Sequence, residues 1–500
     1  FALTNWSAET FPRACELFPF LDWFDGVVVS GRIRLIKPHA GIYEHLIAEH
    51  GIAAGESVFI DDRRIHCGLE VLEKYPVAAI DRIDTESGSN RFEVDTPGGN
   101  LRLLPNETMQ VKEPIAVVLG DIDMLRPLVL AGIPAAVCAG PRALPRYSRY
   151  ARTKIPWHDP WIEPDALVDE LMRFGERQNE KPILFYESDA DLLMISRHRD
   201  RLAETYRFVI PDPELTEILV DKLRFQELAG SLSLPVPTSR FFAADDSDAT
   251  AKGRAFPVIT KPLTRRVAEW SPIAGLSKAV SLSDEAELTE FHGRMRKLGI
   301  DFLAQELIPG DESRIESYHV YIDRSGAIAG EFAGKKIRTY PQKFGQSCAL
   351  TLTDAADVIE LGRQIAETVG LRGVAKFDFK RRPDGELALL EINPRFNLWH
   401  HLGAVAGVNL PLIVYCDLTG RPRPAASIAR PGTNWCRLWQ DVFAARAEGM
   451  PFRRWLPWAI KCEAKAGLAF DDPLPVFRAF LYRATHRRKP PPARSIAVPA

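Results

Sequence analysis

Gly373-Val374-Ala375-Lys376-Phe377-Asp378-Phe379-Lys380, then the turn Pro383-Asp384-Gly385, then Glu386-Leu387-Ala388-Leu389-Leu390-Glu391-Ile392-Asn393-Pro394-Arg395 is the stretch that decides the fold. Both runs read as strands, and the Asp-Gly turn between them makes a hairpin. On that hairpin Asp378 and Glu391 face each other across neighbouring strands, with Asn393 two residues on and on the same face. Two carboxylates and an amide oxygen converging there form a hard oxygen set, which suits Mg²⁺ bridging phosphate oxygens. A solvated hairpin face also carries carboxylates. Glu391, however, ends an apolar run, where an unpaired carboxylate is costly.

Elsewhere the chain has no G-x-x-x-x-G-K-[ST] and no G-x-G-x-x-G; Gly330 to Lys336 is a near miss with the wrong spacing. A nucleotide, if bound, is held without a P-loop or Rossmann glycines.

The E-I-N-P-R run at 391–395, preceded by the F-D-F-K strand, resembles the metal-binding end of ATP-grasp enzymes. Further pieces occur in the order that family uses. Asp221-Lys222 resembles the first nucleotide lysine. Lys261, in Pro-Val-Ile-Thr-Lys-Pro, resembles the strand lysine that reaches the α- and β-phosphates. Gln305-Glu306-Leu307-Ile308 with Gly310 resembles the hinge whose backbone reads adenine, with Gln305 standing where many members have glutamate. Asp311 or Glu312 would reach the ribose. Gly275 to Ala279 sits where the family keeps its mobile phosphate-covering loop, here less rich in glycine. Gly334-Lys335-Lys336-Ile337-Arg338 resembles a basic strand of the carboxylate–amine ligase branch.

The resemblance implies Mg-ATP as cofactor, with Mn²⁺ as an alternative metal. It also implies activation of a carboxylate as an acyl phosphate and its capture by an amine or similar nucleophile. Lys222, Lys261, Gln305, Glu306, Ile308 and Glu312 would bind the nucleotide, and Asp378, Glu391 and Asn393 the metal. Lys336, Arg338 and Arg395 would serve catalysis, Arg395 by holding the acceptor carboxylate or stabilising the intermediate.

Nearer the N-terminus, Leu3-Thr4-Asn5-Trp6-Ser7, Lys37-Pro38 and Phe59-Ile60-Asp61-Asp62 resemble the second, third and fourth motifs of haloacid-dehalogenase-type hydrolases. Their first motif, which supplies the aspartyl nucleophile, would lie upstream of Phe1. Gly120-Asp121-Ile122-Asp123 comes too late in the chain to replace it and reads as a strand-end turn. Without that nucleophile, covalent phosphatase chemistry has no first step. Two rival readings follow, a phosphatase completed by residues upstream of residue 1 and a non-catalytic ATP-binding module.

The whole is expected to be a multidomain α/β and α+β chain. Its parts are a Rossmann-like hydrolase fragment (1–85), a linker (86–112), a pre-ATP-grasp α/β domain (113–212), an ATP-grasp domain (213–425) and a C-terminal extension (426–500). The extension ends in a disordered Pro/Arg tail. Five hundred residues exceed one hydrophobic core. A net charge of −2 offers no field for nucleic acid or an anionic membrane. The best apolar run, Ile115 to Ala139, is interrupted by Asp121, Asp123 and Arg126, so no membrane span is expected. Seven scattered cysteines without a C-x-x-C pair fit a reducing cytoplasm. The chain opens on Phe1 and reads as a fragment. Its expected partners are small carboxylates and amines, with a homodimer as the assembly. His400-His401 is not assigned to the site.

Overall fold

The computed structural model describes residues 113–246, 255–264, 267–469 and 471–478, together with 2–4, 7–9, 11–12, 15, 26–35 and 40–51. The chain divides into two units, Phe1–Val111 and Lys112–Ala500. In the first, β1 (Ala2–Thr4) pairs in parallel with β2 (Val27–Val29), and helix α1 (Ala40–His50) follows. Val28 packs with Ile42 and Tyr43. Lys37, Phe59, Ile60, Asp61 and Asp62 and the Pro/Arg tail from 487 lie outside the described residues.

The second unit opens with β3 (Ala116–Leu119), helix α2 (Ile122–Leu130), β4 (Ala135–Cys138), β5 (Ala151–Ile155), helix α3 (Pro164–Gly175), β6 (Ile183–Tyr186) and helix α4 (Asp189–Arg197). Its four strands form a parallel sheet in the order β5-β4-β3-β6. The strands β3, β4 and β6 are buried throughout, as their continuous apolar runs require. The order reverses between β3 and β6, which opens a crevice at their carboxyl ends, where such sheets bind ligands.

No strand forms over 208–210. Arg207 makes one bridge to Ile183, and Pro211 and Pro213 beyond it cannot donate to a ladder. Two helices follow, α5 (Pro213–Val220) and α6 (Lys222–Ser231). Asp221 divides them: it is extended, and its carboxylate accepts from the backbone N–H groups of Leu223 and Arg224. Capping two orphan donors makes a new helix start there.

A four-stranded antiparallel sheet follows in the order β7 (Ser239–Phe242), β10 (Phe302–Glu306), β8 (Val258–Pro262), β9 (Val280–Leu282). Helix α7 (Glu285–Leu298) packs Leu288, Phe291 and Met295 against Phe242 and Phe302.

The largest sheet among the described residues has seven strands. Its order is β15 (Leu387–Asn393), β14 (Gly373–Arg381), β11 (Ile315–Ile322), β12 (Ile328–Tyr340), β13 (Gln346–Thr353), β16 (Asn434–Cys436), β17 (Ala464–Lys465). Strand β12 is the longest of them, at 13 residues. Tyr318, Val320, Ala375 and Phe377 line the back face, under helix α8 (Ala356–Thr368). The front face meets helices α9 (Trp399–Val405) and α10 (Leu410–Thr419) and, further along, the cleft described below. Helices α11 (Leu438–Ala447) and α12 (Phe452–Lys461) connect the last two strands. Among the described residues no single helix is long and apolar enough to cross a membrane.

Candidate active site

The hairpin β14–β15 pairs Asp378 directly with Glu391. Through the ladder, Ser317, Gly334 and Lys336 share their face. Glycine at 334 is required, because a Cβ there would stand 2.5 Å from the Trp399 ring and 2.7 Å from the Thr351 carbonyl. One irregularity shapes this wall. Asp378 pairs with Glu391 but Phe379 with Leu389, so Leu390 is an extra residue and also lines the cleft.

Across the cleft stand Lys261 of β8 and Gln305 of β10, on the smaller sheet. The structure thus brings Lys222, Lys261, Gln305, Glu306, Ile308, Glu312, Lys336, Asp378, Glu391, Asn393 and Arg395 around one cleft of about 180 Å³. Several are already partnered. Lys261 Nζ donates to Gln305 Oε1 at 3.1 Å, and the Gln305 amide donates to Ser239 Oγ at 3.0 Å. Lys222 Nζ reaches the Leu263 carbonyl at 3.1 Å. The Glu306 carboxylate turns to Arg382 at 2.7 Å, and its backbone N–H donates to the Thr238 carbonyl at 2.8 Å. Asp311 closes its own turn on Ser313. Glu312 instead faces the cleft, 3.7 Å from Lys336 Nζ.

Arg338 departs from the sequence expectation. Lys336 pairs with Leu350 but Arg338 with Ala349, so β12 gains one residue there and the two side chains leave on opposite faces. Arg338 is buried in a two-point pair with Asp441, 2.6 and 2.8 Å, and stacks over Trp458 at 4.4 Å. It is not among the residues that line the cleft, and its pair ties α11 and α12 to the sheet.

The sequence reading missed three lysines. Lys278 lines the cleft from the loop before β9, and burial, with Lys336 nearby, pulls its ammonium down to about 8. Lys376 donates to Asp378 Oδ2 at 2.5 Å, while Ser317 holds the other oxygen. Lys380 donates to the Gly310 carbonyl at 2.7 Å. Burial alone would raise Glu391, but Lys376, Lys278, Lys261 and Lys222 together hold it well below the usual carboxylate range. Burial, the largest influence on Lys261, lowers it. A cleft with this many ammonium groups around two carboxylates attracts polyphosphate.

The carboxylates also fit a hard divalent cation. Among the described residues no three His, Cys, Asp or Glu side chains form a complete cage. Mg²⁺ is commonly held by one or two carboxylates and substrate phosphates, and Asp378 with Glu391 provides that share. The Asn393 amide donates to Glu391 Oε1 at 3.1 Å, and its oxygen accepts from Arg395 at 3.3 Å.

Arg395 Nε also pairs with Asp189 Oδ1 at 2.5 Å. That pair borders a second cavity, of about 810 Å³, at the carboxyl ends of β3, β4 and β6. Its walls include Asp121, Arg142, Trp157 and Asp191. Asp121 is the N-cap of α2. Asp123 is buried, accepting from His401 Nδ1 and Trp435 Nε1, each at 2.9 Å. His401 thus fastens α9 to α2, which no local pattern announced.

A family model described as "ATP-grasp in the biosynthetic pathway with Ter operon" matches residues 328–435. Over 316 residues the chain is 24% identical to a D-aspartate ligase of Enterococcus faecium (strain Aus0004), covering 59% of this chain and 73% of that one. The chain is an ATP-dependent ligase of the carboxylate–amine type, similar over these residues to ATP-grasp proteins. The ligase is also 27% identical over 182 residues to a D-alanine–D-alanine ligase of Stutzerimonas stutzeri (strain A1501), covering 35% of its own length and 55% of that relative. Its fold superposes on N5-carboxyaminoimidazole synthetase from Staphylococcus aureus with a TM-score of 0.50 at 14% identity, over 69% of this chain and 86% of that one.

Proposed function

We propose that ATP lies in the lysine-rich cleft, with its γ-phosphate by Asp378 and Glu391, and that a carboxylate held near Arg395 attacks it. The observation that carries this reading is the paired Asp378 and Glu391 facing Lys222, Lys261, Lys278 and Lys336. Lys261 and Lys278 sit where they offset phosphate charge. The Glu306 carbonyl and the Ile308 main chain would offer adenine its hydrogen bonds, and Glu312, which lines the same cleft, would reach the ribose. Mg²⁺, held by Asp378 and Glu391 with Asn393 beside them, would supply charge neutralisation as the phosphoryl group moves.

The carboxylate oxygen displaces ADP and forms an acyl phosphate. The 810 Å³ cavity beyond Asp189–Arg395 then delivers the amine. Arginine beside tryptophan and aspartate side chains suits a zwitterion, and both curated relatives are named for amino acids. Amino acids are therefore the proposed substrate class. The domain divisions at 85, 112, 212 and 425 belong to the same proposal. So does the hydrolase-like reading of 1–85, supported by the parallel β1–β2 pair and α1.

A panel of D- and L-amino acids and small amines, read by ADP release with Mg²⁺, tests the reading. ADP release that needs both an acid and an amine is expected. ATP binding without turnover on any pair would favour a nucleotide-sensing module instead.

A further inference from the structure

Glu187 directly follows β6 at the point where the order of the parallel sheet reverses, and its neighbours Gly120, Asp121 and Ser188 line the cavity there. The Asp121 backbone N–H donates to Glu187 Oε2 at 2.6 Å. Glycine at 120 makes room for this carboxylate, since a Cβ there would lie 2.7 Å from Glu187 Oε2. The carboxylate is thus held by main chain directly behind two residues that line the cavity, Gly120 and Asp121, with one oxygen engaged by Asp121. The charges of Arg395 and Arg437 act on it from a distance. We propose that Glu187 is the proton acceptor for the amine that attacks the activated carboxylate. This rests on the ligase reading above and adds to it the group that makes the amine a nucleophile.

An amine arrives largely as its ammonium form and must lose a proton before its lone pair can attack. Glu187 takes that proton. The N–C bond then forms at the acyl carbon, the bond from that carbon to the phosphate oxygen breaks, and phosphate leaves with the electron pair. The second N–H proton departs with the phosphate, and Glu187 later returns its proton to water in the cavity. ATP supplies the driving force through the acyl phosphate, and no oxidant or further reactant is needed.

The surroundings suit a base working near neutrality. Burial first, then the charge of Asp121, pushes Glu187 up to about 7, Asp123 adds to this, and Arg395 opposes it. Burial likewise raises Asp121. Asp189 and Asp191 stand at the start of α4, and Arg437, after β16, lies 3.5 Å from Asp121. Acidic groups thus outnumber the arginines Arg395 and Arg437 around Glu187, which favours the approach of an ammonium.

Glu187→Gln tests the assignment, because glutamine can still accept from Asp121. Amide formation should fall about a hundredfold at pH 7. In the parent its rate should rise with pH through about 7, and in the variant that rise should vanish. Hydroxylamine is largely uncharged at pH 7 and needs no base. With D-aspartate, or whichever acid of the panel turns over fastest, hydroxylamine should give hydroxamate in the variant within about threefold of the parent. That arm also reports folding and acyl transfer. Equal loss of amide and hydroxamate would mean a structural role and overturn the proposal, as would an unchanged pH profile. A parent chain that forms no hydroxamate with any acid would instead overturn the ligase reading, and this one with it.

Discussion

The lysine-rich cleft and the cavity beyond Arg395 adjoin at one ion pair but differ in charge and in origin. The cleft is built on two antiparallel sheets, and Lys222, Lys261, Lys278, Lys336 and Lys376 surround its two carboxylates. The cavity is built at the ends of a parallel sheet, and Asp121, Asp189 and Asp191 line it, with Glu187 behind Asp121, against few arginines. One side draws polyanions and the other draws ammonium groups. A ligase joining an activated acid to an amine needs both, in contact. Arg395, with Asp189 at 2.5 Å, stands where they meet.

The largest effect should come from the cleft. Glu391→Gln keeps shape and removes the charge, and turnover should drop roughly a thousandfold while ATP affinity changes much less. Calorimetry and ADP release separate the two, and a parent-like turnover would detach Glu391 from the chemistry. Next comes the boundary. Arg395→Ala should cost about a hundredfold in turnover with the best acid–amine pair, while ATP binding is kept. If it lost ATP affinity and nothing else, Arg395 would belong to the cleft alone.

A smaller change is expected at a phosphate contact. Lys261→Ala should weaken ATP binding about ten- to a hundredfold with a milder effect on turnover, as for a group that meets phosphate already in the ground state. The smallest concerns pH. Lys278 is drawn down to about 8, so it is charged below that pH and neutral above it. ATP affinity should fall a few-fold as pH rises through about 8, and Lys278→Arg, which stays charged, should flatten that fall.

Arg338 gives a contrast of another kind. Breaking its buried pair with Asp441 by Arg338→Ala should cost about 3–5 kcal/mol of stability. Activity per folded molecule should stay close to that of the parent. Thermal unfolding beside ATP titration checks this, and normal stability with lost turnover would return Arg338 to the catalytic set.

These regions also differ in how far the sequence revealed them. The hairpin was legible because period-two alternation around an Asp-Gly turn puts Asp378 opposite Glu391 with no tertiary knowledge. Lys222, Lys261 and the Gln305 hinge followed from a resemblance in motif order. Arg338 was misplaced because two-residue spacing promises a shared face only on an unbroken ladder, and the extra residue in β12 reversed it. The break at Asp221 was hidden by helical residues on both sides, where a side-chain cap outweighed propensity. Lys278 lacked a glycine-rich setting to announce it. The cavity was not legible at all, since Asp121, Arg142, Trp157, Asp191 and Arg395 come from distant segments that only tertiary packing unites. Strands β16 and β17, which extend the large sheet, are three and two residues long and carry no periodic signal.

The central claim is that a carboxylate is activated by phosphate in the cleft and passed to an amine at Arg395. Isotope transfer tests it most directly. With the acid labelled in both carboxylate oxygens by ¹⁸O, the account predicts that one labelled oxygen appears in inorganic phosphate for each ADP and amide formed. Phosphate that carries no label while amide accumulates would contradict an acyl phosphate and require a different route for the same cleft.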